Sequence, residues 1–84
     1  MELKDTIALM TSEDYKERFQ AEYYQTIIRT KALGKMLKDY AEGTLTFTPK
    51  CSYNLLNEQY KAMVTYAAYL SDRAEIEGIE LKQI

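Results

Sequence analysis

Histidine and tryptophan are absent from this 84-residue chain, and Cys51 is its only cysteine. Without histidine, Ser-His and Cys-His relays lose their base, and zinc loses one of its usual ligands. A lone cysteine excludes an intrachain disulfide and a CxxC ligand pair. No apolar run approaches the roughly 18 residues that a membrane span needs. The start also lacks a charged-then-apolar leader with a small-residue cleavage site. The chain is therefore expected to be soluble and intracellular, with no membrane partner. A formal net charge of −2 leaves no overall basic footprint, so no DNA partner is expected. There is no glycine-rich phosphate loop, no pair of acids in a plausible cleft and no nucleophile beside a base. These absences point away from an enzyme and from a cofactor or metal, and toward a binding or structural protein.

Proline occurs once and glycine three times. The breaks they impose divide the chain simply, as a single domain. Glu2–Met10 carries Leu3, Ile7 and Met10 at helical spacing and is predicted to be a short packing helix. It is too short to be stable alone and must dock. Ser12 offers an N-cap for a long helix over 13–41, with Glu13 and Asp14 in its first turn. Gly43 supplies the stop. Residues 42–53 form a connector in which Leu45 and Phe47 alternate with threonines and Pro49 forbids helix. Leu45 and Phe47 are expected to plug the end of a hairpin. Ser52 or Asn54 then caps a second long helix over 54–77, which Gly78 ends. The expected fold is all-α: a short N-terminal helix plus a long antiparallel hairpin.

Both long helices carry more than one apolar stripe. The first has Tyr15, Phe19, Tyr23, Thr26, Thr30, Leu33, Leu37 and Tyr40 near a seven-residue repeat, with Tyr24, Ile28 and Ala32 on another face. The second has Leu56, Gln59, Met63, Tyr66, Leu70 and Arg73, with Tyr60, Ala67 and Ala74 beside them, and Leu55, Ala62, Tyr69 and Ile76 as a second stripe. A hairpin offers each helix only one long neighbour, and a chain this short buries little of its surface. The second stripes are therefore expected to serve an oligomer of identical chains.

The charges and aromatics suggest a ligand. Lys31, Lys35 and Lys38 lie at i, i+4 and i+7, so their mutual repulsion would be relieved by an anion. A solvated face matched to the helix dipole accounts for the same lysines. Arg73 continues an apolar seam with a charge; it either pairs with Glu77 or Glu75 or serves as an anion ligand near a symmetry axis. Eight tyrosines suit helix interfaces and base stacking alike.

Read as a pattern, the chain runs Y-K-E-R-F-x-x-E-Y, then I-R-x-K-x-L-x-x-M-L, then T-L-x-F-T-P-x-C. It closes with Q-x-x-x-M-x-x-Y-x-x-x-L-x-x-R, formed by Gln59, Met63, Tyr66, Leu70 and Arg73. Over Tyr15 to Ile79 this resembles a family of small helical proteins of crAss-like and other phages, the anti-CBASS sponges that sequester cyclic-oligonucleotide signals of bacterial immunity. The resemblance implies a homo-oligomer, a homohexamer of hairpins, acting in the host cytoplasm and binding cyclic oligonucleotides without cleaving them. It implies a cyclic-dinucleotide pocket shared between protomers, with Tyr15 as the stacking aromatic. The family's basic position falls at Thr30 here, so Arg29 and Lys31 on either side become the phosphate candidates. It also implies a separate cyclic-trinucleotide pocket in which Arg73 is the arginine. An adaptor that zips its helices to a host or virion protein explains the seams without a ligand.

Overall fold

The structure is a computed structural model that describes residues 1–84. A 3-10 turn, Leu3–Thr6, leads into α1, Ile7–Met10; two long helices follow, α2 (Tyr15–Glu42) and α3 (Tyr53–Glu77), with no strand. The helices α2 and α3 form the hairpin, and the N-terminal segment packs on α2.

The caps account for the boundaries. Asp14, in extended conformation, accepts the Lys16 amide at 2.9 Å and so starts α2, where Ser12 was expected to. The Ser12 hydroxyl is engaged by the Glu17 carboxylate at 2.6 Å and the Asp14 amide at 3.0 Å, which ties the entry turn to the first helical turn. Ser52 caps α3 by accepting the Leu55 amide at 3.1 Å. Gly43 and Gly78 end their helices at φ 73° and 69°, in the left-handed region that a side chain disfavours. Ser52→Ala is expected to cost about 1 kcal/mol, lowering the melting midpoint by roughly 5 °C, as read by circular dichroism.

Asp39 holds the far end of α2. Its carboxylate accepts from Lys35 Nζ at 3.1 Å and from the Thr44 hydroxyl at 3.2 Å, while its carbonyl accepts the Thr44 amide at 2.9 Å. The Lys35 hydrogen bond lowers its pKa below the ordinary 3.8, partial desolvation opposes this, and Thr44 with the charges of Lys35 and Lys38 reinforces it. A carboxylate depressed on folding stabilises the fold fully above its unfolded pKa and ceases to do so as pH falls through the lowered value. Asp39→Asn should therefore flatten the loss of stability between pH 3.8 and more acid conditions, measured by denaturant titration at stepped pH.

The core lies toward the start of α2 and the end of α3. Phe19, Leu70, Ala74 and Ile79 are buried together, with Tyr23 and Leu81 packed against them. The inward face of α3 is Ala67, Leu70 and Ala74, flanked by half-buried Leu56, Tyr60 and Met63. Gln59, Tyr66 and Arg73, placed on the seam by a seven-residue reading, stand exposed at its edge. The small alanines let α2 approach on their side of the helix, so the buried stripe keeps a seven-residue repeat but passes through Tyr60, Ala67 and Ala74 instead of Gln59, Tyr66 and Arg73.

Three further expectations change. The second stripe of α2 is partly covered by the chain itself, with Ala32 left exposed. Tyr24 is buried and its hydroxyl accepts the Lys82 amide at 3.0 Å, while half-buried Ile28 lines a shallow hollow with Met1, Lys31 and Ile84. The tail after Gly78 lies along α2, where Gln20 Nε2 donates to the Glu80 carbonyl at 2.8 Å. At the N-terminus, Leu3, Ile7 and Met10 stay exposed; docking runs instead through fully buried Thr6, whose hydroxyl accepts from Gln25 Nε2 at 2.9 Å. In the connector, Phe47 is 56% exposed and does not plug the hairpin; it lines an open groove with Ala32, Lys35 and Met36 of α2. Leu45 is half-buried. On α3, by contrast, Leu55, Ala62, Tyr69 and Ile76 remain open to solvent along the whole helix.

Candidate functional site

The antiparallel register of the hairpin sets the first turn of α2 beside the last turns of α3. Tyr15 and Arg73, assigned to different pockets on sequence grounds, meet there. Arg73 Nη2 donates to the Tyr15 hydroxyl at 3.0 Å, and that hydroxyl donates to Glu77 Oε1 at 3.0 Å. Arg73 Nε closes the ring to Glu77 Oε2 at 3.4 Å. Phe19, one turn along from Tyr15, lies under the guanidinium with 4.9 Å between the Arg73 carbon and the ring centroid. Phe19 is fixed in the core, so it acts as a rigid support. Tyr15 is held edge-on to the same ring, at 6.3 Å between centroids and 61°.

The cluster is half open. The Arg73 side chain is 51% exposed, and its guanidinium has more N–H groups than these two partners use. An exposed ion pair with Glu77 contributes little to stability. A planar cation seated on an aromatic face presents its remaining donors in a fixed direction, which suits bidentate contact with a phosphate. Tyr15 offers an exposed ring face beside it. One turn further along α2, the Glu22 carboxylate accepts from the Tyr66 hydroxyl, so this edge of the hairpin is lined by phenols.

The other two candidates lie elsewhere. Fourteen residues of helix separate Arg29 from Tyr15, about 21 Å along the axis at 1.5 Å per residue. Arg29 is exposed, and Lys31 Nζ donates to the main-chain oxygen of Ile84 in the tail. Within one chain, Tyr15 therefore does not share a pocket with Arg29 or Lys31. No concavity of the chain is lined by Tyr15, Arg29 or Arg73. No group of three or more metal-ligating side chains comes together, and no helix is long and apolar enough to cross a membrane.

A protein-family model described as Sequestin matches residues 13–76, from the approach to α2 to the last turn of α3. The chain belongs to the Sequestin family. Sequestins are phage anti-CBASS cyclic-oligonucleotide sponges, which is a binding role and not a catalytic one. No curated protein and no solved structure matches the chain. The matched region of this family member holds Tyr15, Phe19, Arg29, Lys31 and Arg73, and stops one residue short of Glu77. Sequence reasoning passed over Phe19 as a site residue and knew Glu77 only as a pairing partner for Arg73. The i, i+4 spacing of Tyr15 to Phe19 and of Arg73 to Glu77 was the available signal.

Proposed function

We propose that the protein binds and sequesters cyclic di- or trinucleotides, leaves them uncleaved, and thereby blocks CBASS-type antiphage signalling. Membership of the sponge family supports the ligand class. The observation that carries the site is Arg73, presented half open on the Phe19 ring beside an exposed Tyr15. On this reading Arg73 takes a phosphate of the cyclic trinucleotide. Tyr15 stacks on a base of the cyclic dinucleotide, and Arg29 and Lys31 of a second copy meet its phosphates. Stacking supplies roughly 1–3 kcal/mol per base, and each charge-assisted contact adds about 1.5–3 kcal/mol.

Enclosure requires that second copy. Tyr15, Arg29 and Arg73 line no concavity on one chain, and about 21 Å of helix parts Tyr15 from Arg29. The open stripe Leu55, Ala62, Tyr69 and Ile76 on α3 gives identical chains a face to pair through. A homohexamer is the assembly this reading adopts. The same stripe also suits an adaptor that zips onto a host or virion helix.

Native mass spectrometry with a cyclic-nucleotide panel separates the two. The sponge reading expects an oligomer that retains cyclic di- or trinucleotide and releases it intact on heating. A monomer that ignores the whole panel at micromolar concentration, yet co-purifies with one protein, would establish the adaptor instead.

A further inference from the structure

At the other end of the hairpin, the two helices present matched rails. Lys31, Lys35 and Lys38 run along α2 at i, i+4 and i+7; Tyr53, Asn57 and Tyr60 face them from α3 at the same spacing. Together they line a groove of about 490 Å³ with Gly34 and Leu37 between them, and no acidic side chain is among its walls. Lys35 is paired with Asp39 just outside the groove and Lys31 with the tail, so in a chain of net charge −2 Lys38 is the cation left free toward it.

The groove is preorganised. A β-carbon on Gly34 would lie 2.9 Å from Tyr60 Cε2, so the bare backbone seats the Tyr60 ring across α2. Tyr53 is held edge-on by Tyr40, with centroids 5.4 Å apart at 71°. Lys35 is steered by Asp39, whose carboxylate belongs to the neighbouring groove. Lys31 donates to the tail at the rim. Lys38, Tyr53, Asn57 and Tyr60 make no side-chain hydrogen bond within the protein, which leaves an ammonium, two phenols and an amide available to a ligand.

We propose that this groove is a nucleotide-binding site separate from the Tyr15–Arg73 cluster, with Lys35 and Lys38 taking a phosphate and Tyr53, Asn57 and Tyr60 taking the base. Sixteen residues of α3 part Asn57 from Arg73, about 24 Å, so one ligand of mononucleotide size does not span both. The volume lies within the range of small-molecule sites, about 300–1,000 Å³. Two phenol rings and a carboxamide offer a base its stacking face and its hydrogen-bonding edge, while lysine serves phosphate as a point charge. The assignment does not rest on the sponge reading. A chain that holds a mononucleotide here and ignores every cyclic nucleotide keeps this site and loses that function; the converse result keeps the function and removes this site.

The test is an amide NMR titration of the full chain with AMP, with inorganic phosphate and with adenosine. Millimolar AMP is expected to shift the Gly34 and Lys38 amides and the Asn57 side-chain amide, with weaker effects from phosphate or adenosine alone. Lys38→Gln should weaken AMP about tenfold, the loss of one charge-assisted contact. Asn57→Asp, which places an acid in the groove, should weaken it at least as much. Both positions are solvent-accessible, and unchanged helical circular dichroism confirms that each variant folds. Absence of shifts at the groove, shifts confined to Tyr15 and Arg73, or AMP affinity untouched by both variants would overturn the proposal. Inorganic phosphate binding as tightly as AMP would overturn its nucleotide character.

Discussion

Leu70→Ala is expected to lower the melting midpoint by about 10–25 °C and to leave a substantial unfolded fraction at physiological temperature. Leu70 is 1% exposed and stands at the centre of the cluster with Phe19, Ala74 and Ile79. Removing such a side chain costs about 2–5 kcal/mol, part transfer and part cavity. An 84-residue chain has only about 4–12 kcal/mol in total at the usual stability per residue. The neighbouring Ala74 cannot swell to fill the space, and Phe19 is braced by Arg73 above it. Ile76 provides the control on the same helix. It is 85% exposed, so Ile76→Ala should change the stability of an isolated chain by no more than about 0.5 kcal/mol. Thermal melts of both variants, run at several protein concentrations, check this. A drop in the Ile76→Ala midpoint that appears only at high concentration would mark the α3 stripe as a contact between copies. A melt for Leu70→Ala within a few degrees of wild type would mean that the core is not where the structure puts it.

Arg73→Ala is the second large effect, and the contact with Tyr15 alters its form. On the proposed assignment it removes a charge-assisted phosphate contact of about 1.5–3 kcal/mol, which is roughly a 10- to 150-fold loss of cyclic-trinucleotide affinity. From sequence, cyclic-dinucleotide binding is expected to survive it largely intact. The geometry makes that separation incomplete, because Arg73 holds the Tyr15 hydroxyl at 3.0 Å and Glu77 holds its other side. Once the guanidinium is gone, the Glu77 carboxylate lacks its cation and the Tyr15 ring loses a tether. A severalfold loss of dinucleotide affinity is the expected by-product. Tyr15→Phe separates the roles, since it keeps the stacking face and deletes both hydrogen bonds. It should leave the dinucleotide within a few-fold of wild type, whereas Tyr15→Ala should lose the stacking contribution of roughly 1–3 kcal/mol. Calorimetric titration of the three variants with a cyclic di- and a cyclic trinucleotide gives the comparison. Equal trinucleotide affinity in Arg73→Ala and wild type would remove Arg73 from the site.

The parts of this fold that depend on backbone chemistry are legible in the chain. Gly43 and Gly78 at the helix stops, Pro49 in the connector and Ser52 at the start of α3 each impose a local conformation whatever surrounds them. Asp14 displaced Ser12 as the cap of α2 because Ser12 has a better partner in Glu17, a choice made by side-chain reach and not by residue type. The inward face of α3 was harder to read. A seven-residue pattern fits two registers equally, one through Gln59, Tyr66 and Arg73 and one through Tyr60, Ala67 and Ala74, and the small alanines decide which side another helix approaches. The tail was not legible at all as a partner of α2, because two of its contacts run through main-chain groups, the Glu80 carbonyl and the Lys82 amide, which carry no residue-specific signal. For the site, the residue types of Tyr15 and Arg73 were readable. Their meeting depends on the register of the hairpin, which the path of the connector sets and helical periodicity does not.

The tail has a temporal consequence during synthesis. Phe19 leaves the ribosome well before its core partners Leu70, Ala74 and Ile79. With ~60 residues between Phe19 and Ile79, made at ~5–20 residues per second, the apolar face of α2 waits ~3–12 s for its cover. Apolar surface left exposed during such an interval is prone to aggregate. Ile79 then seals the cluster and Lys82 engages Tyr24.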